Sequence, residues 1–215
     1  MEVKRLVGLI ALVAVLTGLL LSGLTAPHTS SADPSVAPTV ATNATTNIEE
    51  TTATLNGMVI DDGGEPCQHR FEYATDPGEP YAYNTTWTGN ITSGQSFNES
   101  VSKLTKGTKY YFRAQAKNSA GTGSGSELSF LTKPDAPTNL SASSAGPDQI
   151  DLFWTKGDGA QNTTIMRKQG GYPADKDDGT QVYFDTGTST SGHGLTHNTT
   201  YYYRAWSYVE GSEEQ

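Results

Sequence analysis

Two stretches of this chain repeat one pattern of apolar and polar positions. Leu104 to Ala116 reads LTKGTKYYFRAQA, and Leu195 to Ser207 reads LTHNTTYYYRAWS. Each opens with Leu-Thr, crosses a short polar turn and continues as an aromatic-rich run whose alternate residues suit a buried face. That period of two predicts antiparallel strands rather than helices. The copies are 91 residues apart, the size of a small β-sandwich, so the chain is expected to hold one module twice. Tyr110 and Tyr201 fall six residues after the leading leucines, where a phenol packs inward and bonds back to the turn. They are the expected structural tyrosine corners.

Turn clusters such as Asp61-Asp62-Gly63-Gly64, Asp76-Pro77-Gly78 and Gly121-Thr122-Gly123 divide the first module into seven strand candidates. These are Thr39–Thr45, Thr52–Ile60, Gln68–Thr75, Ala82–Ile91, Gln95–Leu104, Lys109–Asn118 and Ser126–Leu131. Six more follow at Thr138–Ser143, Gln149–Thr155, Thr163–Lys168, Gln181–Phe184, Ser189–Leu195 and Thr200–Tyr208. Between them Pro134 and Pro137 fix φ and remove backbone donors, so residues 133–137 read as a short, semi-rigid linker. The domains are then 38–132 and 138–215. The fold class is all-β: two tandem antiparallel sandwiches.

The Leu-x-x-x-Thr-x-Tyr-x-aromatic run, the Asn118-Ser119-Ala120-Gly121 turn and Trp154 in the second strand resemble fibronectin type III modules. The resemblance covers roughly Pro38 to Thr132 and Pro137 to Gln215. Gly57 departs from it, standing where Trp154 stands in the second copy, so Phe71 and Tyr73 are expected to fill that space. The second copy also lacks the last strand that the resemblance implies. Its late strand is therefore expected to be an exposed edge, completed by a longer array or by strand exchange with another chain.

Charge and leader change the picture at the N-terminus. Met1 to Arg5 carries two positive charges ahead of Leu6 to Leu24, an uncharged apolar run. Residues 1–26 read as a signal peptide or signal anchor helix, and 27–37 as a flexible tether. Localisation is thus secreted or cell surface, with residues 6–24 as the candidate membrane anchor. The formal charge of −9 argues against nucleic acid, whose phosphates need clustered cations. Cys67, the sole cysteine, makes no internal disulfide and reads as a half-buried small residue. Sequons stand at Asn43, Asn84, Asn90, Asn98, Asn139, Asn162 and Asn198, each a candidate N-glycosylation site in an exported chain.

Catalytic chemistry finds no foothold in the pattern. His193 and His197 flank a strand-to-turn region, where helical metal geometry does not apply. Asp175-Lys176-Asp177-Asp178-Gly179 is out of step with a calcium loop and reads as a solvated acidic turn. No nucleophile elbow or phosphate cradle occurs, so neither catalytic residues, cofactor nor metal are expected. The binding candidate comes from alternation: with Tyr201, Tyr203 and Ala205 inward, Tyr202, Arg204, Trp206 and Tyr208 share the outward face. Such a stripe is either a packing ladder or a docking surface for a surface protein or glycan. The resemblance implies a non-catalytic extracellular spacer, adhesion or binding role. Alternatives are an accessory part of a secreted polysaccharide-active enzyme, or a surface-layer or filament subunit.

Overall fold

A computed structural model describes residues 35–211, which fold into antiparallel strands without a helix among them. The expected leader and most of the tether lie outside the described residues. The first nine strands are β1 (Thr39–Thr46), β2 (Thr52–Asp61), β3 (Cys67–Ala74), β4 (Tyr83–Asn84), β5 (Thr88–Ile91), β6 (Ser96–Ser102), β7 (Lys109–Lys117), β8 (Thr122–Ser124) and β9 (Leu128–Leu131). They form one sheet ordered β1-β2-β6, and a second ordered β4-β3-β7-β8, in which β5 also pairs with β3 and β9 with β7. The remaining six are β10 (Thr138–Gly146), β11 (Gln149–Thr155), β12 (Asn162–Gln169), β13 (Thr180–Asp185), β14 (Ser189–Gly192) and β15 (Tyr201–Tyr208). Their sheets run β10-β11-β14 and β13-β12-β15. Each pair of sheets encloses its own core, as in a β-sandwich.

Two strand expectations need correction. The run Ala82–Ile91 is split into β4 and β5, because Thr85 bonds to β3 partly through its side chain. Its N–H donates to the Phe71 carbonyl at 2.9 Å, while the Phe71 N–H donates to Thr85 Oγ1 at 3.0 Å, interrupting the backbone ladder. The turn read at Gly121–Gly123 instead contains β8. Asn118 Oδ1 accepts the N–H groups of Ala120 and Gly121 at 3.0 and 3.1 Å, closing the reversal early enough for Thr122 to pair with Lys117.

The first core centres on Leu55, Val59, Phe71 and Phe112, all fully buried. The space opposite Gly57 is filled by Phe97 rather than by Phe71 and Tyr73: a Cβ at Gly57 would lie 2.8 Å from the Phe97 Cζ. Tyr73 packs at the margin, stacked on Tyr83 with centroids 5.3 Å apart. Cys67 is fully rather than half buried, and that burial pushes its thiol up. The second core is smaller, built on Leu152, Trp154, Ile165 and Tyr203. Trp154 meets the Tyr183 ring edge-on at 4.7 Å, yet its buried Nε1 has no hydrogen-bond partner.

Residues 35–37, assigned by composition to the tether, are bound to the first module. The Val36 N–H donates to the Gly63 carbonyl at 3.0 Å, and Asn118 Nδ2 donates to the Val36 carbonyl at 2.6 Å. Two hydrogen bonds and the burial of Pro38 outweigh the polar composition that suggested free chain.

The linker is pinned from both sides. The Gly107 N–H donates to the Lys133 carbonyl at 3.2 Å, and the Asp135 N–H donates to the Asp158 carbonyl at 2.9 Å. Ser207 Oγ donates to the Asp135 carbonyl at 2.6 Å, while Lys106 Nζ reaches the Asp135 carboxylate at 2.5 Å and that of Asp158 at 3.7 Å. The hydrogen bond to Asp135 holds the Lys106 ammonium above the usual lysine range. At the centre two glycine turns touch: a Cβ on Gly107 would sit 2.0 Å from the Gly159 carbonyl oxygen. Beside this joint a groove of about 780 Å³ runs between β1, β9, the linker and the last strand, with Ile48, Phe130, Trp206 and Val209 among its walls.

Candidate functional site

Strand β12 organises the outward face of the second module. Lys168, Met166, Thr164 and Asn162 stand opposite Tyr202, Arg204, Trp206 and Tyr208 of β15, and Thr164 also pairs with Phe184 of β13. Tyr201, Tyr203 and Ala205 turn the other way and pack on the core. The structure therefore holds Tyr202, Arg204, Trp206 and Tyr208 on one face, in chain order. Among the described residues no strand lies on the other edge of β15.

The face is covered unevenly. Residues 170–179 fold back over the Tyr202 end, where Tyr172 meets the Tyr202 ring edge-on at 5.1 Å and Pro173 is fully buried. Arg204 Nη1 donates to the Ala174 carbonyl at 3.2 Å. This segment returns through Gly179, at φ +123°, where a Cβ would lie 2.4 Å from the Arg167 carbonyl oxygen. At the other end Phe184 stands edge-on to Tyr208 at 5.2 Å, and the Arg204 guanidinium lies 6.0 Å from the Trp206 ring. Tyr172 and Phe184 are themselves exposed, so the surface gains two rings that alternation along β15 could not reveal.

The acidic turn is tied down rather than freely solvated. Asp178 accepts Lys168 Nζ at 2.7 Å and the Ala174 N–H at 2.8 Å. The bond from Lys168, followed by that from Ala174, holds the Asp178 carboxyl below its ordinary range. A carboxyl with a depressed folded pKa contributes stability above the unfolded value, near 3.9, and loses it as pH falls through the depressed value. Hydrogen exchange over residues 170–179 is therefore expected to stay protected from pH 7 to about 4 and to weaken below that. Asp178→Asn should weaken it at neutral pH too; unchanged protection in that variant would show that the pair does not hold the segment.

The first module closes its equivalent face differently. Trp87 lies between the Arg70 guanidinium and the Lys117 ammonium, each 4.5 Å from the ring, and Arg113 lies 5.2 Å from the Tyr81 ring. Glu72 takes Arg70 at 2.6 Å and Arg113 at 2.9 Å, and Arg113 also meets Glu79. Tyr81 donates to Glu127, and burial followed by that hydrogen bond pushes its phenol up. Alternation along β7 puts Tyr111, Arg113, Gln115 and Lys117 on one face, but it does not reach Tyr81, which precedes β4, or Trp87, which lies between β4 and β5. In contrast to Arg70 and Arg113, Arg204 has no carboxylate partner among the described residues.

The remaining expected positions are dispersed. Tyr110 Oη accepts the Thr105 N–H and Tyr201 Oη the Thr196 N–H, both at 2.9 Å, which is the geometry of a tyrosine corner. His193 and His197 are exposed, the latter with Nδ1 3.4 Å from the Pro147 carbonyl oxygen. Among the described residues no three His, Cys, Asp or Glu side chains gather as a metal-binding set.

Comparison with solved structures gives a two-domain fibronectin type III segment of chicken tenascin at a TM-score of 0.50 and 16% identity, covering 83% of this chain and 94% of that one. The fold is fibronectin type III-like. The FN1–FN3 domains of chicken CNTN1 also match, at 15% identity and a TM-score of 0.34, over 81% of this chain and 64% of that one. The short sensor domain of an anti-sigma factor from Pseudobacteroides cellulosolvens matches 45% of this chain and 94% of its own, at 21% identity and a TM-score of 0.34. No family model matches, and no curated protein matches the sequence. At these identities the fibronectin type III-like architecture is what the chain shares with tenascin.

Proposed function

We propose that this chain is an exported, non-catalytic spacer and binding module of the cell surface. The joint carries the reading: two glycine turns in contact, a linker bonded on both sides and a lysine between two aspartates hold the fibronectin type III-like modules at one angle. A chain that only connected its neighbours would not need such a coupling. The coupling fixes the direction in which the aromatic face of the second module is presented. That face offers Trp206, Tyr208 and Phe184 beside an Arg204 without an ion pair among the described residues, a combination of ring area and fork-shaped donors suited to a surface glycan or protein.

Retention of the full chain on polysaccharide from its own cell envelope tests the binding half. Trp206→Ala is expected to reduce retention about tenfold or more, the scale of losing an aromatic anchor, while circular dichroism confirms that the fold persists. Undiminished retention in a folded Trp206→Ala protein would remove this face from the function. Protease digestion of intact cells tests the location, with cleavage of the chain expected and full protection counting against it.

A further inference from the structure

We propose that Asn198 is an N-glycosylation site, and that its glycan takes on the second module the place that the Gly157–Gly159 turn takes on the first. This rests on the reading that the chain is exported. The two corner turns align residue by residue in the sequence repeat, which sets Asn198 opposite Gly107. Their backbones agree as well, with φ of +57° at Gly107 and +58° at Asn198, and with the same 2.9 Å bond from threonine to tyrosine.

What covers the two corners differs. At Gly107 the neighbouring module approaches so closely that no side chain fits. At the second corner Asn198 brings a side chain to that position, and Asn198 and Thr200 are both exposed. A cleft of about 560 Å³ lies alongside, walled by Ser143, Pro147, Ile150 and Tyr201 among others. Its lining combines hydroxyl side chains such as Ser143 and Thr199 with apolar Pro147 and Ile150, which suits the hydroxyls and C–H faces of a sugar.

The other six sequons are placed less well for modification, which favours surface loops. Asn43, Asn84, Asn90 and Asn98 lie within β1, β4, β5 and β6. Asn139 is engaged through Nδ2 with Thr155 Oγ1 at 3.2 Å. Asn162 is half buried and its partner hydroxyl belongs to Thr164, 9% exposed. Asn198 alone of the seven lies outside a strand. The donor would be a lipid-phosphate-linked oligosaccharide of the export route. Asn198 Nδ2 forms a bond to the anomeric carbon, the bond from that carbon to the phosphate oxygen breaks, and the lipid phosphate departs as one amide proton is lost.

The test is peptide mass spectrometry of the native full-length protein. Trypsin releases residues 177–204, which contain this sequon and no other. The expected result is a hexose- or hexosamine-bearing mass on that peptide, abolished in Thr200→Ala and retained in Thr200→Ser. An unmodified peptide in protein recovered from the cell surface overturns the proposal while leaving export standing, whether or not other sequons are occupied. Unmodified protein recovered only from inside the cell overturns both.

Discussion

Gly107→Val is expected to leave both sandwiches folded while freeing the angle between them. Two independent penalties meet at this position. A left-handed backbone costs a residue with a Cβ about 1–2 kcal/mol, and more when the side chain is β-branched. The new Cβ would also lie 2.0 Å from the Gly159 carbonyl oxygen and 3.1 Å from Val209 Cγ2, and the nearer atom is backbone. The turn cannot yield without losing the bond from the Gly107 N–H to Lys133, so the modules separate instead. Distances between spin labels placed on the two modules should pass from one narrow distribution to a broad one, with each module's melting transition kept. A distribution that stays narrow would mean that the salt bridges of Lys106 hold the joint without the glycine contact. Lys106→Ala should broaden it less, because exposed ion pairs are weak and screened by salt.

Trp154→Ala is expected to unfold the second module at ambient temperature while the first stays folded. Truncating a buried tryptophan costs about 3–5 kcal/mol, and this core has few other large side chains to collapse into the space. A domain of this size holds a total of about 5–15 kcal/mol, so that loss is a large fraction of it. Trp154→Phe separates packing from polarity. It keeps most of the ring contact with Tyr183 and removes the indole N–H, which is buried without a partner. Burying an unsatisfied donor costs about 1–3 kcal/mol, so the phenylalanine variant should melt close to the parent and well above the alanine variant. Two-transition calorimetry checks this, and a phenylalanine variant as damaged as the alanine one would show that the indole's shape outweighs its orphan donor.

Local information made much of this architecture legible. The period of two around Tyr110 and Tyr201 is set by neighbours two residues apart, so β7, β15 and the face that carries Tyr202, Arg204, Trp206 and Tyr208 follow from it. The match of Phe97 to Gly57 does not, because a missing side chain is filled from a strand forty residues away and nothing near Gly57 announces the donor. Tyr81 and Trp87 were equally hidden: Trp87 falls inside the run Ala82–Ile91 expected as one strand, and only the break between β4 and β5 brings these rings over Arg113, Arg70 and Lys117. Gly107 reads in sequence as an ordinary turn glycine. Its significance depends on the Gly159 carbonyl of the other module, which no pattern along one strand encodes.

Thr132, 1% exposed at the end of β9, makes the pairing of the two modules asymmetric. Its Oγ1 accepts the Thr108 N–H at 2.9 Å and donates to the Thr105 carbonyl at 2.7 Å, while its own N–H donates to the Thr108 carbonyl at 3.1 Å. The corner turn that receives the second module is thereby shaped by the last residue of the first. Closing that corner uses only residues of the first sandwich, so it does not wait for the Gly157–Gly159 turn that docks on it. The second sandwich docks on a corner that the first closes without it, so the dependence between the two runs in one direction.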